Sequence, residues 1–89
     1  MSKSFTVLTI LRDINNELQK ARETFPPFNS AHEGHAIIAE ELDELWREVQ
    51  ANKAGTGGID NPKEMRKEAI QVAAMTVRFV YDLIDLDHD

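Results

Sequence analysis

Residues 62–85 read PKEMRKEAIQVAAMTVRFVYDLID, and the reading of this stretch decides the fold. From Ala69 onward it is apolar on most sides, through Ile70, Val72, Ala73, Ala74, Met75, Val77, Phe79, Val80, Leu83 and Ile84. Its β-branched residues would suit a strand, but the run is too long for one. Pro62 followed by Lys63 and Glu64 fits the first turn of a helix. The length also reaches that of a membrane span, about 18–20 residues. Gln71, Arg78, Asp82 and Asp85 interrupt it, however, and each is costly in lipid. The sequence therefore predicts a core helix over about 62–85, central to a bundle or buried between subunits.

Two further helices precede it. Phe5, Leu8, Leu11, Ile14, Leu18 and Ala21 recur at three- and four-residue steps, which predicts a helix over about 4–24. Ser4 is its expected N-cap, and Pro26 and Pro27 stop it. Ser30 opens the next helix, over about 30–52, and Glu33 completes a capping box with it. Ile38, Leu42, Leu45, Trp46 and Val49 form its apolar stripe, expected to face the core. The segment KAGTGGIDNP is a connection, and the tail DLDHD is expected to fray. The fold class expected is all-α: one domain, residues 1–89, of three helices.

Composition restricts what such a bundle can do. The chain has 89 residues, of which 42% are hydrophobic and 29% charged. A monomer this short buries only about 60–65% of the surface its unfolded chain exposes, so self-association is a natural way to complete the core. Without cysteine there is neither a disulfide framework nor a thiolate metal site. No stretch near the start is long and apolar enough for a signal or a membrane anchor, so a soluble, cytoplasmic protein is expected. The net charge of −6 argues against nucleic acid, which recruits clustered Lys and Arg. It suits metal cations, and a nucleotide when a metal or a basic patch intervenes.

The most acidic segment is EELDELWREV, residues 40–49. At about 100° per residue, Glu41, Glu44 and Glu48 fall together on one flank of the Leu42–Leu45–Val49 stripe, while Glu40 and Asp43 face solvent. On the third helix Glu68 lies among Met65, Val72, Met75 and Phe79, with Gln71 one turn on. A lone carboxylate at an apolar face is costly unless it is paired or bound to metal. If the two helices pack side by side, Glu41, Glu44 and Glu68 converge as oxygen ligands suited to Mg²⁺ or Mn²⁺. The competing reading is plain: Glu is a good helix former and keeps surfaces soluble. Spacing alone leaves both open. His32 and His35, in HEGH, do not make the HExxH zinc pattern.

Glu41-Leu42-Asp43-Glu44 reads as ExxE. After residues 45–67, Glu68-Ala69-Ile70-Gln71 begins as ExxD. With HEGHAIIAEELDELWREV, the glycine-rich gap and RKEAIQVAAMTVRFVYDL, residues 30–84 resemble the MazG-like branch of the all-α nucleoside triphosphate pyrophosphohydrolases. The resemblance implies a helical bundle completed by homodimer or homotetramer formation. It also implies cleavage of a nucleoside triphosphate between the α- and β-phosphates, releasing the monophosphate and pyrophosphate. Glu41, Glu44 and Glu68 match its metal ligands, with Glu41 or Glu44 activating a water, and Mg²⁺ (or Mn²⁺) is the implied cofactor. Gln71 departs from the pattern: an amide oxygen can ligate a hard cation but brings no charge, and Glu40 or Glu64 is a conceivable substitute. A weak or inactive relative that binds nucleotide or protein is the alternative. For substrate, Arg78 and Lys67 are candidate phosphate contacts. Trp46 is a candidate for stacking on the base, although its place on the stripe equally fits the core.

Overall fold

The computed structural model describes residues 6–53 and 58–85. Among these residues the chain is all-helical, with no strand: α1 (Val7–Thr24), α2 (Ala31–Ala51), α3 (Pro62–Phe79) and a π-helical turn, Val80–Ile84. No helix of the described residues is long and apolar enough to cross a membrane.

Local chemistry sets the helix ends. Thr6 caps α1, its side chain accepting from the Thr9 N–H at 3.2 Å; Ser4 and Phe5 lie outside the described residues. At the other end the two prolines act through the residue before them. Phe25 precedes Pro26 and is extended, with φ −124° and ψ 150°, as a pre-proline residue must be. Ser30 caps α2 by accepting from the Glu33 N–H at 3.1 Å. The Glu33 carboxylate reaches back one residue further than a capping box requires and accepts from the Asn29 N–H at 2.6 Å. Pro62 occupies the first turn of α3, where its missing N–H costs nothing.

α3 is the central helix, with α1 and α2 packed on either side of it. Arg66 meets Asp13, Gln71 meets Glu17 and Tyr81 meets Arg22, so α1 runs parallel to α3. Asn61 meets Glu48 at one end and Phe79 meets Gly34 at the other, so α2 runs antiparallel to it. The buried core is Leu18, Phe28, Ala74 and Met75, flanked by Ile14, Ala21, Ile37, Ile38, Phe79 and Leu83. Phe28, from the α1–α2 connection, folds under the end of α3 and closes this core. The overall extents are 49 × 31 × 19 Å.

The third helix extends to Ile84, close to the expected end, with a change of pitch on the way. Its α-helical part ends at Phe79, and the last turn widens, with the Asp85 N–H reaching the Val80 carbonyl at 2.9 Å. This is the turn in which Tyr81 bonds to Arg22 and Asp82 bonds to the Phe28 N–H. One expectation needs correction: Ile38 packs against the core, but Leu42, Trp46 and Val49 do not enter it, being 53%, 54% and 42% exposed. α3 meets α2 along Gly34, Glu41 and Glu48, spaced by two helical turns, and this turns only the Leu42–Trp46–Val49 edge of the stripe outward, with Ile38 and Leu45 half-buried. Val77, Val80 and Ile84 on the far side of α3 are likewise exposed. Part of the glycine-rich connection, residues 54–57, and the tail, residues 86–89, lie outside the described residues.

Candidate metal centre

The rotation of α2 that leaves Trp46 exposed turns Glu41 and Glu44 toward α3. Glu41, Glu44 and Glu68 each place a carboxylate oxygen so that all three lie within 4.8 Å of one another. The helices bring them together by simple register: Glu41 and Glu44 are one turn apart on α2, and Glu68 faces them from the antiparallel α3. Among the described residues no other three acidic or histidine groups assemble in this way. Glu40 and Glu64 remain outside the group, and both are exposed.

The electrostatics of the trio are strained without a cation. Burial is the main influence raising the Glu41 carboxyl above its usual range, followed by the charges of Glu44, Glu68, Glu40 and Glu17. Burial also leads for Glu68, followed by the charge and closeness of Glu44. Glu41 has a buried oxygen, Oε1, with no hydrogen-bond partner. A buried acceptor left bare, beside two further carboxylates, is what a divalent cation with oxygen ligands satisfies. The donor set therefore fits Mg²⁺ or Mn²⁺.

A cavity of about 470 Å³ opens beside the trio, between the C-terminal half of α1, residues 25–28, the first half of α2 and α3. Glu41, Gln71 and Arg78 line it, together with Phe25, Phe28, Ile37 and Met75. Glu17, Lys20, Thr24, Glu33 and Glu40 also line it, so apolar side chains and charged groups share its wall.

Gln71 lies one turn beyond Glu68, and its side chain is committed: Nε2 donates to Glu17 Oε2 at 3.1 Å. Arg78 lines the cavity but is 5% exposed and already bonded on several sides. Its Nη2 donates to the Pro26 carbonyl at 2.6 Å, and its guanidinium carbon stands 4.0 Å from the centre of the Phe28 ring. Its Nε is 3.4 Å from Asp82 Oδ2, the oxygen that also accepts from the Phe28 N–H at 3.0 Å. The Arg78–Asp82 pair thereby ties the α1–α2 connection to the end of α3. Lys67 is exposed beside Glu68 and eases the charge on that carboxyl. Trp46 does not line the cavity. His32 and His35 are exposed and line neither the trio nor the cavity.

Sequence reasoning passed over the contribution of α1 and its connection: Glu17, Lys20, Phe25 and Phe28 all line the cavity. Glu17 had a readable signal, since it is an acid bordering the Ile14–Leu18–Ala21 stripe, the criterion that singled out Glu41 and Glu44 on α2. Phe25 and Phe28 flank Pro26 and Pro27 and gave no periodic signal. In comparisons with protein-family models, curated proteins and solved structures, the chain matches none.

Proposed function

We propose that this chain is a MazG-like, metal-dependent nucleoside triphosphate pyrophosphohydrolase, acting as a homodimer or homotetramer. The observation that carries the reading is the convergence of Glu41, Glu44 and Glu68 within 4.8 Å, with an orphaned buried oxygen on Glu41, which also lines a cavity of about 470 Å³. These three carboxylates would hold Mg²⁺ or Mn²⁺. When bound, the ion neutralises phosphate charge and lowers the pKa of a coordinated water.

The chain's own residues do the rest. Phe25, Phe28, Ile37 and Met75 offer an apolar wall to a nucleoside, while the carboxylates, which alone would repel a triphosphate, would hold the cation that draws it in. A water oxygen bonds to the α-phosphorus, the bond from that phosphorus to the α,β-bridging oxygen breaks, and pyrophosphate leaves. Glu44 or Glu41 accepts the proton the water gives up. The oligomer is supported by two uncovered apolar strips, Leu42–Trp46–Val49 on α2 and Val77–Val80–Ile84 at the end of α3. A single copy leaves both in water.

A second reading has an observation of its own. Gln71 carries no charge, and Arg78 is bound within the chain rather than free for phosphate. Both favour a relative that binds nucleotide without rapid turnover. Pyrophosphate release from a panel of ribo- and deoxyribonucleoside triphosphates, with Mg²⁺ and separately with Mn²⁺, distinguishes the two. Turnover that disappears in Glu44→Ala supports the enzyme. Nucleotide binding without turnover supports the binding module.

A further inference from the structure

We propose that Glu17 of α1 supplies a fourth carboxylate to the Glu41–Glu44–Glu68 centre and is oriented there by the Gln71 amide. The inference rests on the metal-site reading above and extends it to a third helix.

The two oxygens of Glu17 have different tasks. Oε1 lies 3.6 Å from the exposed Lys20 Nζ, a weak surface pair, whereas Oε2 accepts from Gln71 Nε2 at 3.1 Å on the α3 side. Glu17 and Glu41 line the same cavity as Gln71.

Position 71 thus holds the residue type the pair requires. A carboxylate there would face Glu17 at contact distance and be repelled. A neutral amide instead donates a hydrogen bond and fixes the acid. Glu17 is outside the 4.8 Å trio. It would act on a divalent ion held by the trio through its charge and through the waters that such an ion, Mg²⁺ in particular, keeps. Gln71 is accordingly a positioning residue, and the negative charge that its own side chain lacks is delivered from α1.

The test is Mn²⁺ binding by the full chain, read by electron paramagnetic resonance and calorimetry, without nucleotide or turnover. Glu17→Gln preserves the shape of the side chain and removes the charge; it should weaken Mn²⁺ binding by about 10–100-fold, the usual cost of losing a group that supports metal ligands. The double variant E17Q/Q71D moves the carboxylate from α1 to α3 and should regain most of that loss. Glu23→Gln, an exposed acid on the same helix, should change nothing. Metal-free melting curves confirm that each variant folds. If E17Q binds Mn²⁺ like the unaltered chain, or if E17Q/Q71D recovers nothing, Glu17 is a surface acid and the inference is overturned. If the unaltered chain binds no Mn²⁺ at all, the metal-site reading fails, and this inference fails with it.

Discussion

Glu44 on α2 and Glu68 on α3 bring carboxylate oxygens within 4.8 Å of each other, and burial together with the Glu44 charge holds Glu68 above its usual range. An acid whose pKa is higher in the folded than in the unfolded protein favours folding below its unfolded value, and that advantage is lost as pH rises through the folded value. The metal-free protein should therefore lose stability from this site as pH rises from about 4 toward neutral. Glu68→Gln removes the charge and should raise metal-free stability at neutral pH by about 0.2–1 kcal/mol, in the range of solvent-screened pairs. Added Mg²⁺ or Mn²⁺ should stabilise the unaltered chain by mass action and leave this variant unmoved. Urea unfolding in a chelator, at mildly acidic and at neutral pH, checks the first point; melting with and without metal checks the second. Equal neutral-pH stability of the two proteins would show that the carboxyl crowding costs nothing.

Arg78 and Asp82 hold the α1–α2 connection against the end of α3 from a position that is nearly closed to solvent. Arg78→Met leaves Asp82 buried with a charge and one backbone donor, and removes the bond to the Pro26 carbonyl. Breaking a buried pair from one side costs about 3–5 kcal/mol. Arg78→Lys keeps the charge without the planar fork and should recover only part of it. Urea midpoints measure both. If Arg78 served substrate alone, Arg78→Met would affect turnover and leave the midpoint in place.

Gly34 is where α2 comes closest to α3. A Cβ there would stand 2.6 Å from Phe79 Cδ2 and 3.2 Å from Phe28 Cδ2. Alanine is normally the better helix residue by about 1 kcal/mol. Here overpacking, at about 1–3 kcal/mol, opposes that gain. Gly34→Ala should therefore be destabilising in thermal melts, and Phe79→Leu in the same chain should relieve part of the loss. A stabilising Gly34→Ala would contradict the tight approach.

Under the proposed assembly, the exposed strips on α2 and α3 meet a second copy. Trp46→Glu and Val80→Glu place a charge on each strip without touching the chain's own core. Both should shift the protein toward monomer in size-exclusion chromatography with light scattering, while circular dichroism still reports helix. A monomeric unaltered chain would leave these strips without the partner proposed for them.

Helix order and most helix ends were legible because their causes are local: Ser30 before Glu33, the Pro26–Pro27 stop and Pro62 in a first turn each act within a few residues. The phase of α2 was not legible. A wheel weighs each apolar residue as inward-facing and so centres the stripe near Leu42, Leu45 and Val49. α3 instead seats itself on the Gly34–Glu41–Glu48 row, because a glycine admits Phe79 and the carboxylates face the neighbouring helix. Nothing in the α2 sequence separates a residue buried by its own chain from one left for another surface. Arg78 was legible as an anomaly on an apolar helix, but not its partners: Pro26 and Phe28 lie about 50 residues away in sequence. The Glu17–Gln71 bond is likewise long-range and unmarked by any motif.

The central claim is hydrolysis at the α-phosphorus by a site that needs Glu41, Glu44 and Glu68. Phosphorus NMR of a nucleoside triphosphate incubated with the full chain and Mg²⁺, in water enriched with heavy oxygen, reads it directly. The account predicts nucleoside monophosphate carrying the label, unlabelled pyrophosphate, and no reaction with Glu44→Ala. Release of diphosphate and orthophosphate, label in the pyrophosphate, or no turnover of any nucleotide with either metal would contradict it.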